Sequence, residues 1–355
     1  MKIGVIGAGN GGQAMAAHLS SMGHTVCLFN RSFERIETIA RVKTIELTGL
    51  INQTVEINEV VTSWEVVVRN QELIMICTTA DAHHDIAKQM APYLSENQII
   101  ILNPGRTLGA ISFRHYLSLY TKTRVYIAEA QSLVYACRIT GPNTVAILGI
   151  KKYVPLAAYP STDTAHVLAK VNTILNAFVA ADNSLICGLN NIGAILHPCI
   201  SLLNAQSIAH GHLFYFYRNL DEATASLLEQ IDAERMALGK ALQLELISLS
   251  NWVSLAYDGI SGDTLIEKIK NNPAYHNILS PKTLQNRLLM EDIPTGLMPM
   301  IDLGQQLGVA MPLMHSITTL CKTLLNQSFE KEGRTLNALG LGHLSKEKLF
   351  AQLMA

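Results

Sequence analysis

The sequence predicts an α/β Rossmann-type domain followed by an all-α domain, and three observations support this fold class. A short apolar run at residues 3–6 leads directly into glycines spaced as G-x-G-x-x-G. Short apolar, β-branched runs then alternate with helical segments. From Asn190 onward the apolar spacing is helical, and no alternating strands follow. We therefore expect a dinucleotide-binding domain at residues 1–183 and a helical substrate domain at residues 184–355.

Composition narrows the class of protein. The chain has 355 residues, more than one hydrophobic core usually holds, which favours two domains. Charged residues make up 15% of the chain, against about 25% in typical soluble domains. This balance predicts a large core and leaves apolar surface that a homodimer could cover. A net charge of −1 without a basic run argues against nucleic-acid binding.

Cysteine usage and hydropathy indicate the compartment. The six cysteines are widely spaced and form no CxxC pair, which favours reduced, buried thiols. No uninterrupted apolar stretch reaches the length of a membrane span, and the N-terminus resembles a strand rather than a signal peptide. We therefore expect a cytoplasmic protein that does not enter the membrane.

The glycine-rich loop predicts a dinucleotide site. Gly7 permits a tight turn, Gly9 lets the backbone approach a pyrophosphate, and Gly12 lets the following helix pack close to the sheet. The helix N-terminus then offers N–H donors to the phosphates. We assign Gly7, Gly9, Asn10, Gly11 and Gly12 to the cofactor; a purely structural glycine turn is the alternative.

The end of the second predicted strand, residues 25–29, indicates which dinucleotide binds. NAD-binding folds usually carry an acidic residue at this position, which bonds the ribose hydroxyls. Here the sequence is Asn30, Arg31 and Ser32, with Arg35 one helical turn later. Asn30 does not repel a 2′-phosphate, and Arg31 can bind it through charge-assisted bonds worth about 1.5–3 kcal/mol each. We therefore expect NADP(H) to be preferred over NAD(H); a solvent-exposed arginine at a helix start is the alternative.

Later strand ends supply further candidates, because ligands of such sheets bind at the carboxyl ends of the strands. Thr78, Thr79 and Ala80 follow the strand predicted from residue 73 and are assigned to the cofactor. His83 could line the same crevice, although a role in capping the next helix is favoured. Residues 44–62 alternate like β-strands and predict an inserted hairpin.

Three polar residues in this half are candidates for substrate contacts. Arg106 lies in a Pro-Gly turn after a strand predicted at 98–102. Glu129 directly follows a strand predicted at 125–128, and Arg138 comes shortly after. Each could instead serve a plain turn or an ion pair.

The helical half contains His197 in an apolar segment, NNIGAILHPCISLLNAQ. On composition alone, such a histidine is more often a hydrogen-bonded core residue than a catalyst. The aromatic run 215–217 is expected to pack on a helix rather than form a substrate cage. His210 and His212 are two residues apart, which on a helix directs them apart, and we expect no metal site.

Five motifs in order resemble one enzyme family. They are GAGNGG at the start, NNIGAILHP followed by LLNA, EQIDAERMALGKAL at 229–242, RLLMEDIPTGLMP at 287–299 and GRTLNALGLG at 333–342. Together they resemble the opine dehydrogenase family, the octopine/nopaline type of NAD(P)-dependent enzyme. This resemblance spans nearly the whole chain and is much more specific than the glycine loop.

The resemblance implies both a reaction and its residues. Members join an α-keto acid, often pyruvate, to the amino group of an amino acid and reduce the resulting imine, which makes them CH–NH oxidoreductases. The catalytic histidine of the family corresponds to His197 and its partner aspartate to Asp292. The resemblance also implies a helical C-terminal domain like that of 6-phosphogluconate dehydrogenase and substrates held between the domains. The Asn30–Arg31 pair departs from relatives that carry an acid there.

Chemistry supports the same pair independently. Hydride delivery to a C=O or C=N carbon requires a nearby acid, and histidine suits this near neutral pH, with a benefit of about 10²–10⁴-fold. A carboxylate behind the ring fixes its tautomer, and Asp292 precedes a turn that could hold one still. Arg287, Arg106 and Arg138 are candidates for the substrate carboxylate, with Arg287 favoured because it shares the motif of Asp292.

The predicted function is therefore an NADP(H)-dependent condensation of an α-keto acid with an amino acid, followed by reduction. Two alternatives remain open from the sequence. One is a simple keto-acid reductase of the ketopantoate-reductase type, which would need no amine. The other is a non-catalytic NADP(H) sensor, whose cellular role would survive loss of His197.

Overall fold

The computed structural model describes residues 1–256 and 259–355, which form two compact units. The first unit contains Met1–Gly188 with Leu353–Ala355, and the second contains Leu189–Gln352. The observed division therefore lies at Gly188, a little beyond residue 183. The helix that begins at Ser184 packs with the first unit, since the Thr107 hydroxyl donates to the carbonyl of Gly188 at 3.2 Å.

The strands found in residues 1–256 and 259–355 all lie in the first unit. In chain order they are β1 (Lys2–Ile6), β2 (Thr25–Phe29), β3 (Thr44–Gly49), β4 (Gln53–Glu56), β5 (Glu59–Val61), β6 (Leu73–Ile76), β7 (Ile99–Leu102), β8 (Tyr126–Ala130), β9 (Tyr135–Gly141), β10 (Thr144–Ile150), β11 (Val154–Ala158) and β12 (Phe178–Ala180). Its helices are α1 (Asn10–Ser21), α2 (Glu37–Val42), α3 (Trp64–Val68), α4 (His83–Met90), α5 (Gly109–Ser118) and α6 (Thr164–Val171).

Eight of these strands form the main sheet, in the order β12-β11-β8-β7-β6-β1-β2-β5. All neighbouring pairs are parallel except β11 with β8. Strands buried on both faces require continuous apolar sequence, and β6 and β7 are indeed fully buried runs. The strand order reverses beside β1, which places a ligand crevice at the carboxyl end of that strand. The predicted Rossmann fold is confirmed.

A second sheet has the order β4-β3-β10-β9. The predicted hairpin at 44–62 is confirmed for β3 and β4, which pair antiparallel. Its last part was misassigned, because β5 leaves the hairpin and joins the main sheet beside β2. Strand β3 instead pairs in parallel with β10, a partner far along the chain that local alternation cannot reveal.

Helices make up the second unit, as predicted. They follow α7 (Ser184–Leu189), which ends the first unit, and are α8 (Gly193–Leu203), α9 (Ala205–Ala209), α10 (Glu222–Ala241), α11 (Leu249–Ala256), α12 (Leu265–Lys270), α13 (Arg287–Met290), α14 (Met298–Leu307), α15 (Pro312–Leu325) and α16 (Lys346–Met354). A π-helical turn, Ile293–Leu297, connects α13 to α14.

One stretch of the described chain, Ser184–Leu203, is long and apolar enough to cross a membrane by length and composition. Polar residues, among them Asn190 and Asn191, interrupt this stretch, so it is not an uninterrupted apolar run. Of its most apolar 18-residue window, 78% is buried inside the protein. A buried core helix passes the same test of composition, so the stretch is weak support for a membrane span.

A buried arginine anchors the start of α8. Arg235 on α10 is fully buried, and its Nε donates to Asp232 Oδ1 at 2.8 Å. Its Nη1 donates to the carbonyl of Leu189 at 3.1 Å and to Asn190 Oδ1 at 3.2 Å. Its Nη2 donates to the carbonyl of Ile247 at 2.6 Å. The buried charge is therefore paired and hydrogen-bonded, which fixes the segment that leads into α8.

Candidate active site

The glycine loop has the geometry that a dinucleotide requires. Gly7 adopts a φ of +101°, in the left-handed region that favours glycine, and a Cβ at Gly12 would overlap the carbonyl of Gly7. A Cβ at Gly9, by contrast, would meet no protein atom within 4 Å. Steric need therefore explains Gly7 and Gly12, whereas Gly9 borders open space at the N-terminus of α1, where a pyrophosphate fits.

Thr78, Thr79 and Ala80 follow β6 and lie in the chain segment beside this loop. Thr78 Oγ1 is buried and has no hydrogen-bond partner among the described residues. Its methyl group lies beside Gly7, at 2.8 Å from where a Cβ would be, so the hydroxyl belongs to the same crevice. Thr79 and Ala80 continue from it into a short 3-10 turn. A bound cofactor would give the Thr78 hydroxyl the partner it otherwise lacks.

The segment after β2 presents mainly exposed side chains. Asn30 Oδ1 accepts a bond from the backbone N–H of Ala8 at 3.1 Å, which ties the segment to the glycine loop. Arg31 and Arg35 are exposed and make no ion pair with other described residues. Ser32 is exposed as well, but its hydroxyl donates to Glu34 Oε2 at 2.5 Å. Two arginines are therefore available to an anion here, and the Ser32 hydroxyl is already bonded.

In the helical unit, His197 and Asp292 form a dyad. His197 lies on α8 and Asp292 immediately precedes the π-helical turn, with His197 Nδ1 and Asp292 Oδ2 only 2.6 Å apart. Asp292 is fully buried, and the His197 side chain is 13% exposed. An ionised carboxylate can only accept, so the Nδ1–H donates to it and the tautomer is set. Nε2 is therefore the ring atom that can exchange a proton.

Close packing holds the dyad in place. A Cβ at Gly296 would lie 2.5 Å from the Cβ of Ala194, so glycine is what lets the π-helical turn approach α8. The Thr295 hydroxyl donates to the carbonyl of Glu291 at 2.7 Å, and the N–H of Arg334 donates to the carbonyl of Pro294 at 3.0 Å. Bonds on both sides of the turn therefore fix the Asp292 backbone.

Tyr217 is a site residue that the sequence interpretation missed. Its hydroxyl lies 2.9 Å from His197 Nε2, and its ring stacks on Tyr275 with centroids 4.2 Å apart. The prediction of helix packing at 215–217 was wrong, because this segment forms turns between α9 and α10. A helix stop could have been inferred from Gly211, whose φ is +71°. Nothing in the local sequence, however, indicates contact with His197.

The histidine pair was also misjudged. His210 and His212 stack with ring centroids 5.7 Å apart, because the chain leaves α9 at Ala209 and the helical direction rule no longer applies. The residues that the structure describes contain no group of His, Cys, Asp or Glu arranged to hold a metal. His83, at the start of α4, is buried and packs edge-on against Phe113.

The arginine candidates for substrate binding are divided between the two units. Arg287 lies on α13, half-exposed, with its Nη1 2.7 Å from Glu291 Oε2. Arg138 is exposed on β9 of the second sheet rather than after a strand of the main sheet. Arg106 follows β7 with a φ of +66°. Arg106 and Arg138 therefore belong to the first unit, whereas Arg287 belongs to the second unit.

Glu129 corrects a boundary prediction. It lies inside β8 instead of after it, is 1% exposed, and its Oε2 accepts from the N–H of Ala110 at 2.7 Å. A charged residue normally ends an apolar strand pattern, but a carboxylate with a backbone donor can be buried.

Known proteins share both units. Residues 180–325 match the family described as NAD/NADP octopine/nopaline dehydrogenase, alpha-helical domain, and residues 2–106 match the NAD binding domain of 6-phosphogluconate dehydrogenase. The second likeness falls on the Rossmann unit, whereas we expected it in the helical unit. Opine dehydrogenase of Arthrobacter sp. (strain 1C) is 36% identical over 96% of this chain and 95% of that protein.

Solved structures share the fold. Octopine dehydrogenase with NADH and L-arginine superposes with a TM-score of 0.81 at 20% identity, covering 100% of this chain and 98% of that one. Yersinopine dehydrogenase with NADP+ gives a TM-score of 0.73 at 15% identity, covering 99% and 97%.

Fold, glycine loop and relatives together define the class: this protein is an NAD(P)-dependent oxidoreductase that acts on the CH–NH group of donors. The 36% identity over nearly the full length of both chains narrows the class further. The chain belongs to the opine dehydrogenase family.

Proposed function

We propose that this enzyme condenses an α-keto acid with the amino group of an amino acid and reduces the imine with NADPH. The observation that carries the proposal is the dyad, in which His197 is held by Asp292 through Nδ1 and meets a hydroxyl through Nε2. Such a group both donates and accepts a proton near neutral pH, which condensation and reduction each require.

Each residue has a definite part in the proposed reaction. When bound, the cofactor supplies the hydride. His197 accepts at Nε2 the proton that the substrate amino group loses when it attacks the carbonyl carbon. It returns this proton to the hydroxyl that leaves as water when the imine forms, and both transfers run backwards in the reverse direction. Asp292 stabilises the imidazolium and keeps Nδ1–H directed towards itself. The Tyr217 hydroxyl, bonded to Nε2, excludes water from that nitrogen and either yields its place to substrate or passes the proton on.

The proposed preference for NADPH rests on the segment after β2. Relatives with a carboxylate there would repel a 2′-phosphate. This chain has Asn30 instead, and the exposed Arg31 and Arg35 make no ion pair within the described residues. Glu34 is a nearby carboxylate, but its bond to Ser32 gives it a partner of its own. Arg31 and Arg35 can each form a charge-assisted bond to the additional phosphate, which favours NADPH.

The first experiment is oxidation of NADPH, followed by nicotinamide absorbance, with pyruvate and a pool of amino acids. Amine-dependent turnover that falls by about 10²–10⁴-fold in His197→Ala supports the proposal. The matched control is His343→Ala, an exposed histidine of the same unit, which should retain full activity. Turnover that needs no amine would contradict the proposal and identify a simple keto-acid reductase.

A further inference from the structure

Lys151 is a half-buried lysine without a carboxylate partner. It follows β10, and its backbone N–H donates to the carbonyl of Val134 at 2.8 Å. Its Nζ donates to the hydroxyl of Ser132 at 3.0 Å. Within residues 1–256 and 259–355, no acidic side chain forms an ion pair with it. The Ser132 hydroxyl is therefore the side-chain group to which the Lys151 ammonium donates.

The surroundings of Lys151 make its positive charge costly. Burial lowers the pKa of Lys151 from its usual value to about 8, and the positive charge of Arg106 lowers it further, while Cys137 opposes this weakly. An ammonium that is buried with only a hydroxyl as its side-chain partner destabilises the folded protein unless an anion joins it. Perturbed groups of this kind concentrate at functional sites.

Contacts place Lys151 beside the cofactor loop. Leu133, next to its partner Ser132, lies 2.8 Å from where a Cβ at Gly11 would be. The N–H of Gly105 donates to the carbonyl of Ala130 at 3.3 Å, which brings the Arg106 turn towards the same segment. Ser132 and Arg106 thus follow the carboxyl ends of β8 and β7.

The position along the sheet distinguishes a phosphate of the adenosine half of the cofactor from a substrate carboxylate. In a Rossmann sheet the adenosine half of the dinucleotide lies over the strands that carry the ribose-binding residue, here β2 and its neighbour β5. The nicotinamide half lies towards the other strands, which here are β6, β7 and β8. An anion held after β7 and β8 is therefore on the side where hydride leaves, where a substrate carboxylate must lie.

We propose that Lys151, held by Ser132 and accompanied by Arg106, binds the carboxylate of the α-keto acid substrate. This inference rests on the proposed function and adds to it the residue that selects the keto acid. It also replaces Arg287, which is bonded to Glu291, as the leading candidate for that carboxylate. The Lys151 ammonium supplies the positive charge, and the Ser132 hydroxyl supplies a second hydrogen-bond donor to the carboxylate.

The test measures pyruvate binding to the NADPH complex through quenching of NADPH fluorescence, which requires no turnover. Lys151→Met should weaken pyruvate about 10–100-fold, as expected for loss of a charge-assisted bond, and leave NADPH affinity unchanged. Lys151→Arg should retain most of the affinity. The matched control is Lys152→Met, because Lys152 is the exposed neighbour and should behave as wild type. Longer α-keto acids are measured in the same way.

Other outcomes would overturn the proposal. If Lys151→Met weakens NADPH and leaves pyruvate unchanged, the lysine serves the cofactor pyrophosphate. If neither affinity changes, or if no α-keto acid binds to the wild-type complex, Lys151 is not the carboxylate site. Should Lys151→Met fail to fold, Ser132→Ala provides the same comparison with a smaller expected loss.

The two proposals can fail separately. Keto-acid binding that depends on Lys151, without turnover for any amine, would reject the condensation and keep the subsite. Amine-dependent turnover with a pyruvate KM unchanged in Lys151→Met would support the condensation and reject the subsite at Lys151.

Discussion

The selected site and anchoring residues of the two units differ in how much of their hydrogen-bonding capacity is already used. In the helical unit, His197 has a partner at each ring nitrogen and Arg235 bonds to four neighbouring oxygen atoms. In the Rossmann unit, the Thr78 hydroxyl lacks a hydrogen-bond partner, a Cβ at Gly9 would meet no atom, and Arg31 forms no ion pair within the described residues.

This difference separates groups that react from groups that bind. A residue that moves protons works best when its orientation is fixed before substrate arrives, since no reorganisation is then needed during the reaction. A residue that binds an anion contributes most to affinity when its donors have no partner in the free protein, because the anion then supplies the missing hydrogen bonds. The three predictions below challenge this division, beginning with the largest expected effect.

Asp292→Asn should be the most damaging change that leaves the fold intact. The amide cannot stabilise an imidazolium, and its NH₂ can donate to Nδ1 and so favour the wrong tautomer. We expect kcat to fall by about 10²–10⁴-fold while NADPH affinity is unchanged. Steady-state kinetics and cofactor titration check this. A kcat close to wild type would show that His197 needs no fixed partner. It would contradict the statement that a residue which moves protons is oriented in advance.

Arg31→Asp should alter cofactor choice without affecting the chemical step. The new carboxylate repels a 2′-phosphate and can bond the ribose hydroxyls, so NADPH should weaken about 10–100-fold while NADH does not. Parallel titrations with both cofactors measure the ratio. Arg41→Asp makes the same charge change at an exposed site on α2 and is the control. Equal losses for the two cofactors would remove the account given for Asn30 and Arg31.

The smallest effect concerns pH. Because the pKa of Lys151 is lowered to about 8, its ammonium is charged below that pH and becomes neutral above it. The groups that act on it are the Arg106 charge, the Cys137 thiol, whose pKa burial raises to about 11, and the neutral Ser132 hydroxyl. Affinity for the keto acid should therefore fall as pH rises, by at most about tenfold per unit.

The midpoint of that decline should lie above 8 in the complex, since a bound carboxylate favours the charged lysine. The measurement is the pyruvate KM between neutral and alkaline pH, in wild type and in Lys151→Met. An identical decline in the variant would assign the pH dependence to another group.

Local sequence was enough to predict much of the Rossmann unit. The glycine spacing, the strand before it and β2 depend on residues that are neighbours in the chain, so their patterns are visible directly. The same holds for β6 and β7, whose apolar runs have no polar interruption. Predictions failed where burial depends on a distant partner: Glu129 lies inside β8, where its Oε2 accepts from the N–H of Ala110.

The dyad lay at the limit of what sequence can provide. His197 and Asp292 are 95 residues apart, and only the resemblance to a family joined them before the structure brought Nδ1 and Oδ2 within 2.6 Å. Tyr217 lay beyond that limit, because turns set its position and no periodicity describes them. Lys151 carried no motif, and its significance depends on burial and on Arg106, which are properties of the folded chain.

The anchorage of Arg235 has a consequence for how this protein tolerates change. Two of its bonds reach the carbonyls of Leu189 and Ile247, and every amino acid supplies a carbonyl. Positions 189 and 247 can therefore drift in sequence without loosening the arginine, provided that the new side chain fits. Asn190 and Asp232 contribute side-chain oxygens and have no such latitude. Substitutions at positions 189 and 247 would therefore leave α8, which carries His197, in place.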